Sequence, residues 1–138
     1  MTTSCLRTVA VLDDDADLTA SIVANLRRMN LRAFEFTNGQ TLAIESRARA
    51  FDAYVLDWLL DDVTAITLIE DLRSQPSSAR APIFLLSGNL AVGGVPSDAA
   101  LFDAIERHQL IYRAKPYSTV KLAKDLHDCL TGGDHEKR

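Results

Sequence analysis

The sequence predicts an α/β domain built on a parallel β-sheet, with helices packed on both faces of the sheet. Short apolar segments alternate along the chain with longer segments whose apolar residues recur every three or four positions. Most of the short segments are apolar throughout, as expected of strands that are buried on both faces. The repeated order of strand and helix then favours parallel strands joined by helical connections.

Five segments have the length and composition of strands. The second one alternates apolar and polar residues, which is typical of a half-buried strand, and the other four are almost continuously apolar. The predicted strands are TVAVL (8–12), LRAFEF (31–36), AYVLD (53–57), IFLLS (83–87) and LIYRA (110–114).

Five helices are predicted between and after these strands. In the first one, apolar residues from Leu18 to Met29 recur on one helical face, and Asp15 or Asp17 can cap its start. Asn38-Gly39 is predicted as a turn before a second helix. The second helix is predicted over 40–48, the third from a Thr64 cap to about Arg73, the fourth after a Ser97 cap and carrying Leu101, Phe102 and Ile105, and the fifth after a Ser118 cap with Leu122, Leu126 and Cys129 on one face.

Length and composition indicate one soluble globular domain over residues 1–138, with a core of about 8–130 and a tail or linker at 131–138. The chain is 47% apolar and 25% charged, with a net charge of −4. It has no Lys/Arg-rich run, no apolar stretch long enough to span a membrane, and no signal-peptide pattern. We therefore expect a cytoplasmic protein that binds neither nucleic acid nor membrane directly.

Polar side chains stand at the carboxyl ends of four predicted strands. Asp13 and Asp14 follow the first strand, Asp57 ends the third, Ser87 ends the fourth, and Lys115 follows the fifth. In an open parallel sheet these strand ends meet at one edge, where ligands bind. Carboxylates are suited to a hard divalent cation, whereas lysine and serine can hold phosphoryl oxygens. The crowded acids, which repel one another, therefore predict a cation site at which one carboxylate can act as a nucleophile.

These features together resemble the receiver domains of two-component response regulators, including the chemotaxis regulators. The acid pair after the first strand is followed in order by YVLDW (54–58), FLLSG (84–88) and YRAKPY (112–117). The resemblance covers about residues 8–130. It implies a flavodoxin-like, doubly wound fold with a five-stranded parallel sheet of order 2-1-3-4-5 and five helices.

The resemblance also implies roles for the residues at the strand ends. Asp57 would be the phosphoacceptor, and Asp14 and Asp57 would bind Mg²⁺ (or Mn²⁺) directly, helped by the backbone carbonyl of Leu59. Asp13 would be a second acid of the metal site or act through water.

Ser87 and Lys115 would contact the phosphoryl group, and Ser87 with Tyr112 would form the switch that alters the surface of helix four and strand five. The phosphoryl donor would be a sensor histidine kinase or a phosphotransfer protein, with a second copy or an output domain as further partners. The family implies a signalling phosphoacceptor in a phosphorelay and not an enzyme in the usual sense.

The chain departs from the family pattern at several positions. Asp61, Thr64 and Ala65 stand where the family usually has Pro, Asp and Gly, and the missing glycine affects a tight loop. The segment NLAVGGVPSD (89–98) makes the distance from Ser87 to Lys115 longer than expected. Leu59 occupies a position beside the path of the attacking water, so we expect slow self-dephosphorylation.

Two other functions fit parts of the sequence. Asp13-x-Asp15 after a strand resembles the first motif of haloacid-dehalogenase-type phosphatases, although the late acidic pair of that family is missing. The altered residues after Asp57 would instead suit a degenerate receiver that binds proteins without being phosphorylated.

Overall fold

A computed structural model of the chain describes residues 7–49, 51–60, 63–88, 99–115 and 117–132. Within these ranges, seven strands and five α-helices follow one another, and a π-helical turn (Asp128–Gly132) ends the described part. The strands are β1 (Thr8–Leu12), β2 (Arg32–Phe36), β3 (Ala53–Asp57), β4 (Leu59–Leu60), β5 (Val63–Thr64), β6 (Ile83–Ser87) and β7 (Ile111–Ala114). The helices are α1 (Ala16–Arg28), α2 (Gly39–Ala48), α3 (Ile66–Ser74), α4 (Ala99–His108) and α5 (Thr119–His127).

The central sheet confirms the predicted fold. Its strands are all parallel and, among the described residues, five in number, in the order β2-β1-β3-β6-β7. Without the short β4–β5 hairpin, this is the order 2-1-3-4-5 of a flavodoxin-like sheet. The chain leaves β1 toward β2 on one side and returns to β3 on the other, so the strand order reverses between β1 and β3.

Two apolar layers cover the two faces of this sheet. On one face, α1 and α5 pack against alternate strand residues such as Val11, Val55 and Leu86. On the other face, α2, α3 and α4 pack against Leu12, Leu56 and their neighbours. Because β1, β3 and β6 are buried on both sides, their sequences are almost continuously apolar, as predicted, whereas the alternating β2 is half-buried.

The structure confirms two predicted helix caps. The Asp15 carboxylate accepts hydrogen bonds from two backbone N–H groups at the start of α1, and the Ser118 hydroxyl accepts one at the start of α5. Asn38 caps α2 in the same way, so the predicted Asn38-Gly39 turn is the beginning of a helix.

The Thr64 cap is wrong. Thr64 belongs to β5, where it pairs with Leu59, and α3 begins at Ile66 after Ala65, without a side-chain cap. The Ala65 N–H donates to the Trp58 carbonyl at 2.8 Å, which closes the β4–β5 hairpin and delays the start of the helix by one residue. The whole 89–98 segment, with the predicted Ser97 cap, lies outside the described residues, and so do Asp61 and Asp62.

Two residues that the sequence groups with the apolar residues of their helices, Phe102 and Cys129, are exposed. Phe102 is half exposed because its neighbour Leu101 occupies the buried face of α4, and consecutive helical residues point about 100° apart. Cys129 is exposed because α5 ends at His127 and the following π-helical turn changes the angular spacing. Within the described residues, no helix combines the length and apolarity needed to cross a membrane.

Candidate functional site

The strand ends bring together the acids and the lysine that the sequence placed there. The Lys115 Nζ atom lies 3.0 Å from Asp13 Oδ2 and 3.1 Å from Asp57 Oδ1. Asp13, Asp14 and Asp57 can each offer a carboxylate oxygen such that these atoms lie within 4.8 Å of one another. Residues separated by as many as 102 positions thus form one compact polar cluster.

The sheet register explains this convergence. Leu12 pairs with Leu56 across β1 and β3, so the residues that follow them, Asp13 and Asp57, leave the sheet side by side. On the other side, the Lys115 N–H donates to the Ser87 carbonyl at 2.9 Å and extends the pairing of β6 and β7 by one residue. Backbone pairing of the central sheet therefore positions Asp13, Asp57, Ser87 and Lys115, whereas Asp14 lies on the loop after β1.

The residues of the cluster differ in their exposure to solvent. Asp13 is 2% exposed and Asp57 is 7% exposed, whereas Asp14 is exposed to solvent. Lys115 is intermediate, with its ammonium group between the two buried carboxylates. A ligand can therefore approach from the Asp14 side and reach Asp57 without a large rearrangement of the strands.

Burial and like charges disfavour the ionised form of Asp57. Burial raises the pKa of its carboxyl group to about 6, the charge of Asp13 adds to this rise and Asp14 contributes less, while Lys115 opposes it. Burial alone would lower the pKa of Lys115, but the hydrogen bonds and charges of Asp13 and Asp57 outweigh burial and raise it. Lys115 thus remains protonated, and its single positive charge does not balance the negative charges of the carboxylates around it.

The residues present fit a magnesium ion. Mg²⁺ prefers oxygen ligands at about 2.0–2.1 Å in octahedral geometry, which places ligand oxygens on opposite sides of the ion about 4 Å apart. The three carboxylates can each offer an oxygen within 4.8 Å of the other two, an upper limit slightly wider than this spacing, and their excess negative charge favours a divalent cation. Leu59, the source of the predicted carbonyl ligand, lies in β4 two residues after Asp57, and its role stays a prediction.

The two predicted switch residues lie on neighbouring strands. Ser87 ends β6 and is 2% exposed, and Tyr112 lies on β7, where it pairs with Leu85. The Tyr112 hydroxyl is buried and makes no hydrogen bond of good geometry within the described residues. Burial raises its pKa, and Ser87 lies near enough to oppose this rise.

Sequence analysis missed a polar network that flanks Lys115. The Tyr117 hydroxyl donates to Asp125 Oδ2 at 2.6 Å, and the Arg113 guanidinium donates to the same oxygen at 3.3 Å. Asp125 on α5 therefore holds residues on both sides of Lys115. The spacing of Tyr117 and Asp125 gives no motif, because they meet only when α5 packs against the sheet.

Comparisons with known proteins agree with this fold. The chemotaxis response regulator CheY4 of Vibrio cholerae has a TM-score of 0.76 and 16% identity, and the match covers 91% of this chain and 100% of that chain. The chain has the fold of a response regulator receiver domain. The receiver domain of the sensor histidine kinase PA1611 from Pseudomonas aeruginosa, a structure with a magnesium ion coordinated in its active site cleft, has a TM-score of 0.74 and 19% identity, with 93% and 99% covered.

The receiver-domain fold also matches part of a longer response regulator. DrrB of Thermotoga maritima, an OmpR/PhoB homologue, has a TM-score of 0.75 and 19% identity, and the match covers 94% of this chain but 54% of that chain. A scan against protein-family models and a search of curated proteins found no match to this sequence.

Proposed function

We propose that the chain is the phosphoacceptor receiver domain of a two-component phosphorelay. In this proposal Asp57 accepts a phosphoryl group from a phosphohistidine on a sensor histidine kinase or a phosphotransfer protein. The modified site then changes the surface formed by α4 and β7, which a second copy or an output domain would recognise. The protein would act in the cytoplasm as a signalling component and not as an enzyme in the usual sense.

The observation that carries this proposal is the cluster of Asp13, Asp14, Asp57 and Lys115 at the carboxyl edge of a receiver-fold sheet. Lys115 bridges Asp13 and Asp57 at 3.0 and 3.1 Å, and the three acids can share one cation. A nucleophilic carboxylate, a cation site and a fixed ammonium are what transfer to an acyl phosphate requires. The magnesium ion of the PA1611 receiver domain is consistent with the same use of this edge.

The proposed transfer depends mainly on position and charge. Above pH 6 most Asp57 carboxylates are ionised, and a carboxylate oxygen attacks phosphorus while the bond to the donor imidazole breaks. Lys115 would hold one phosphoryl oxygen, and the Ser87 hydroxyl would hold another. A Mg²⁺ ion held by Asp13, Asp14, Asp57 and the Leu59 carbonyl would neutralise charge on the phosphoryl oxygens.

The switch would then follow from the new contact of Ser87. If Ser87 moves toward the phosphoryl group, the space beside β7 changes, and the Tyr112 ring can turn inward. The buried Tyr112 hydroxyl lies beside Ser87, so a movement of Ser87 would change its surroundings. The phosphoryl group would shift the balance between two existing conformations.

Stoichiometric labelling tests the proposal. The wild-type protein, incubated with Mg²⁺ and a small phosphodonor such as acetyl phosphate, should gain one phosphoryl group on Asp57, as seen by intact mass. Asp57→Asn should gain none. Asp71→Asn makes the same chemical change on α3, where Asp71 pairs with Arg47 at 2.9 Å, and should be labelled like the wild type.

The contrary results identify the alternatives. If saturating phosphodonor or beryllofluoride produces no Asp57 adduct, the chain is a degenerate receiver, which the altered β4–β5 segment after Asp57 would explain. If the protein instead hydrolyses a generic phosphate ester over many turnovers, it is a phosphatase.

A further inference from the structure

Thr19 on α1 is hydrogen-bonded to the loop that carries Asp13 and Asp14. Thr19 is 1% exposed, and its hydroxyl lies 3.0 Å from the Asp15 carbonyl and 3.4 Å from the Asp13 carbonyl. A bond to the carbonyl four residues back is common for a helical threonine. The contact with Asp13, six residues back, is different, because Asp13 lies beyond the helix at the end of β1.

The carboxylates of the same loop also accept hydrogen bonds from nearby backbone N–H groups. Asp13 Oδ1 accepts the N–H of Asp15 at 3.0 Å, and Asp15 Oδ1 accepts the N–H groups of Asp17 and Leu18, each at 3.1 Å. The Thr19 hydroxyl adds a hydrogen bond to the Asp15 carbonyl and a longer contact with the Asp13 carbonyl, and these two residues flank Asp14. The backbone before and after Asp14 is thus held by side-chain contacts.

Charge repulsion makes this support important. Asp13, Asp14 and Asp57 lie close together, and without a cation their charges favour moving apart. Asp13 and Asp57 are buried, whereas Asp14 is exposed and sits on a loop, so Asp14 is the acid with room to move. A loop held in place before the cation arrives does not have to be ordered during binding.

We propose that Thr19 is a positioning residue of the cation site, which holds the Asp13–Asp15 backbone so that Asp13 and Asp14 face Asp57. The inference rests on the proposed function, because it assumes that the acids bind a divalent cation. Groups that orient metal ligands typically contribute tenfold or more to metal affinity.

Mg²⁺ titration of three variants tests the role of the hydroxyl. Trp58 follows Asp57 directly and is the chain's one tryptophan, so its fluorescence reports binding without any phosphoryl transfer. Thr19→Val keeps the shape and removes the hydroxyl, and it should weaken Mg²⁺ binding about tenfold. Thr19→Ala, which also lacks the hydroxyl but fills less space, should weaken it by a similar factor, whereas Thr19→Ser should bind within about twofold of the wild type.

A matched control separates positioning from general stability. Ser46 is a buried hydroxyl away from the site, bonded to the Tyr54 hydroxyl at 2.6 Å, and Ser46→Ala should lower stability without changing Mg²⁺ affinity. If Thr19→Val and Thr19→Ala bind Mg²⁺ like the wild type, or if Thr19→Ser binds as weakly as they do, the inference is overturned. If the wild type itself does not bind Mg²⁺, the failure lies in the proposed cation site.

Discussion

Asp57 is the residue at which burial opposes the proposed function. It is 7% exposed and lies beside Asp13, so ionising it costs free energy, yet a nucleophilic carboxylate must be ionised. Lys115 offsets part of this cost at a distance of 3.1 Å, but the pKa of Asp57 is still raised to about 6. Any positive charge added near Asp57 would therefore stabilise its ionised form.

The raised pKa predicts an unusual dependence of stability on pH. Because the pKa of Asp57 is about 6 in the folded protein and 3.8 ordinarily, the folded state binds this proton more tightly than the unfolded state. Without divalent cations, the contribution of Asp57 to the free energy of unfolding should rise as pH falls from 7 through 6 toward 4. Asp57→Asn should remove this rise and be more stable at pH 7 by about 2–3 kcal/mol.

Urea unfolding at several pH values, with chelator present, measures this effect. Asp71→Asn, on the surface of α3, serves as the matched control and should keep the wild-type pH dependence. The prediction would be contradicted if the free energies of unfolding of the wild type and of Asp57→Asn changed in parallel between pH 7 and 5.

A second residue-scale prediction concerns Leu59. Its apolar side chain is expected to hinder the water that hydrolyses the acyl phosphate, an inference from sequence position alone. Leu59→Asn should accelerate decay of phosphorylated protein, measured as loss of label after removal of the donor. An unchanged decay rate would show that the residue two positions after Asp57 does not control water access here.

At the scale of elements, the junction of β7 and α5 determines where Lys115 lies. The Asp125 carboxylate on α5 accepts from Tyr117 at 2.6 Å and from Arg113 at 3.3 Å, and these residues flank Lys115 two positions away on each side. Burial, and then the hydrogen bond to Asp125, raise the pKa of Tyr117, so its hydroxyl stays protonated and donates. The junction is therefore tied to α5 by hydrogen bonds as well as by packing.

Removing the Tyr117 hydroxyl should weaken this connection. Tyr117→Phe keeps the ring and loses one hydrogen bond to a charged acceptor, so the free energy of unfolding should fall by about 1–2 kcal/mol. Asp125→Asn and the double variant complete a double-mutant cycle, in which the two changes should be clearly non-additive. Additive losses would mean that the Tyr117–Asp125 bond contributes nothing in solution.

For the molecule as a whole, the reversal of strand order between β1 and β3 creates the site. The helices that follow β1 and β3 pack on opposite faces, which leaves the carboxyl ends of these strands open to a ligand. Asp13 and Asp57 come from the two strands at this position. Fold stability and the proposed cation binding are consequently linked through the same residues.

Mg²⁺ should therefore stabilise the folded protein. A ligand that binds only the folded state adds about 2.7 kcal/mol at a hundredfold excess over its Kd. The Tm of the wild type should rise with MgCl₂ more than with NaCl at equal ionic strength, and the difference should shrink in Asp14→Asn. Equal effects of the two salts would indicate charge screening without a specific site.

Much of this architecture could be predicted from the sequence, because strands buried on both faces must be apolar and must end where polar residues begin. The core strands and the Asp15 and Ser118 caps were predicted for this reason. The β4–β5 hairpin was not, since Thr64 has the properties of a helix cap, and only the bond from Ala65 to the Trp58 carbonyl shows that the helix starts later. The exposure of Phe102 and Cys129 could not be predicted, because periodicity alone does not show where a helix changes its geometry or which apolar neighbour is buried.

The sequence by itself determined which segments form the sheet, and that acids, a hydroxyl and a lysine stand at the strand ends, because periodicity and composition are local properties. Only the tertiary structure decided the distances among Asp13, Asp57 and Lys115, the pKa of Asp57, and the contacts of Thr19 and Asp125. Those properties depend on strand register and burial, which arise from contacts between residues far apart in the chain.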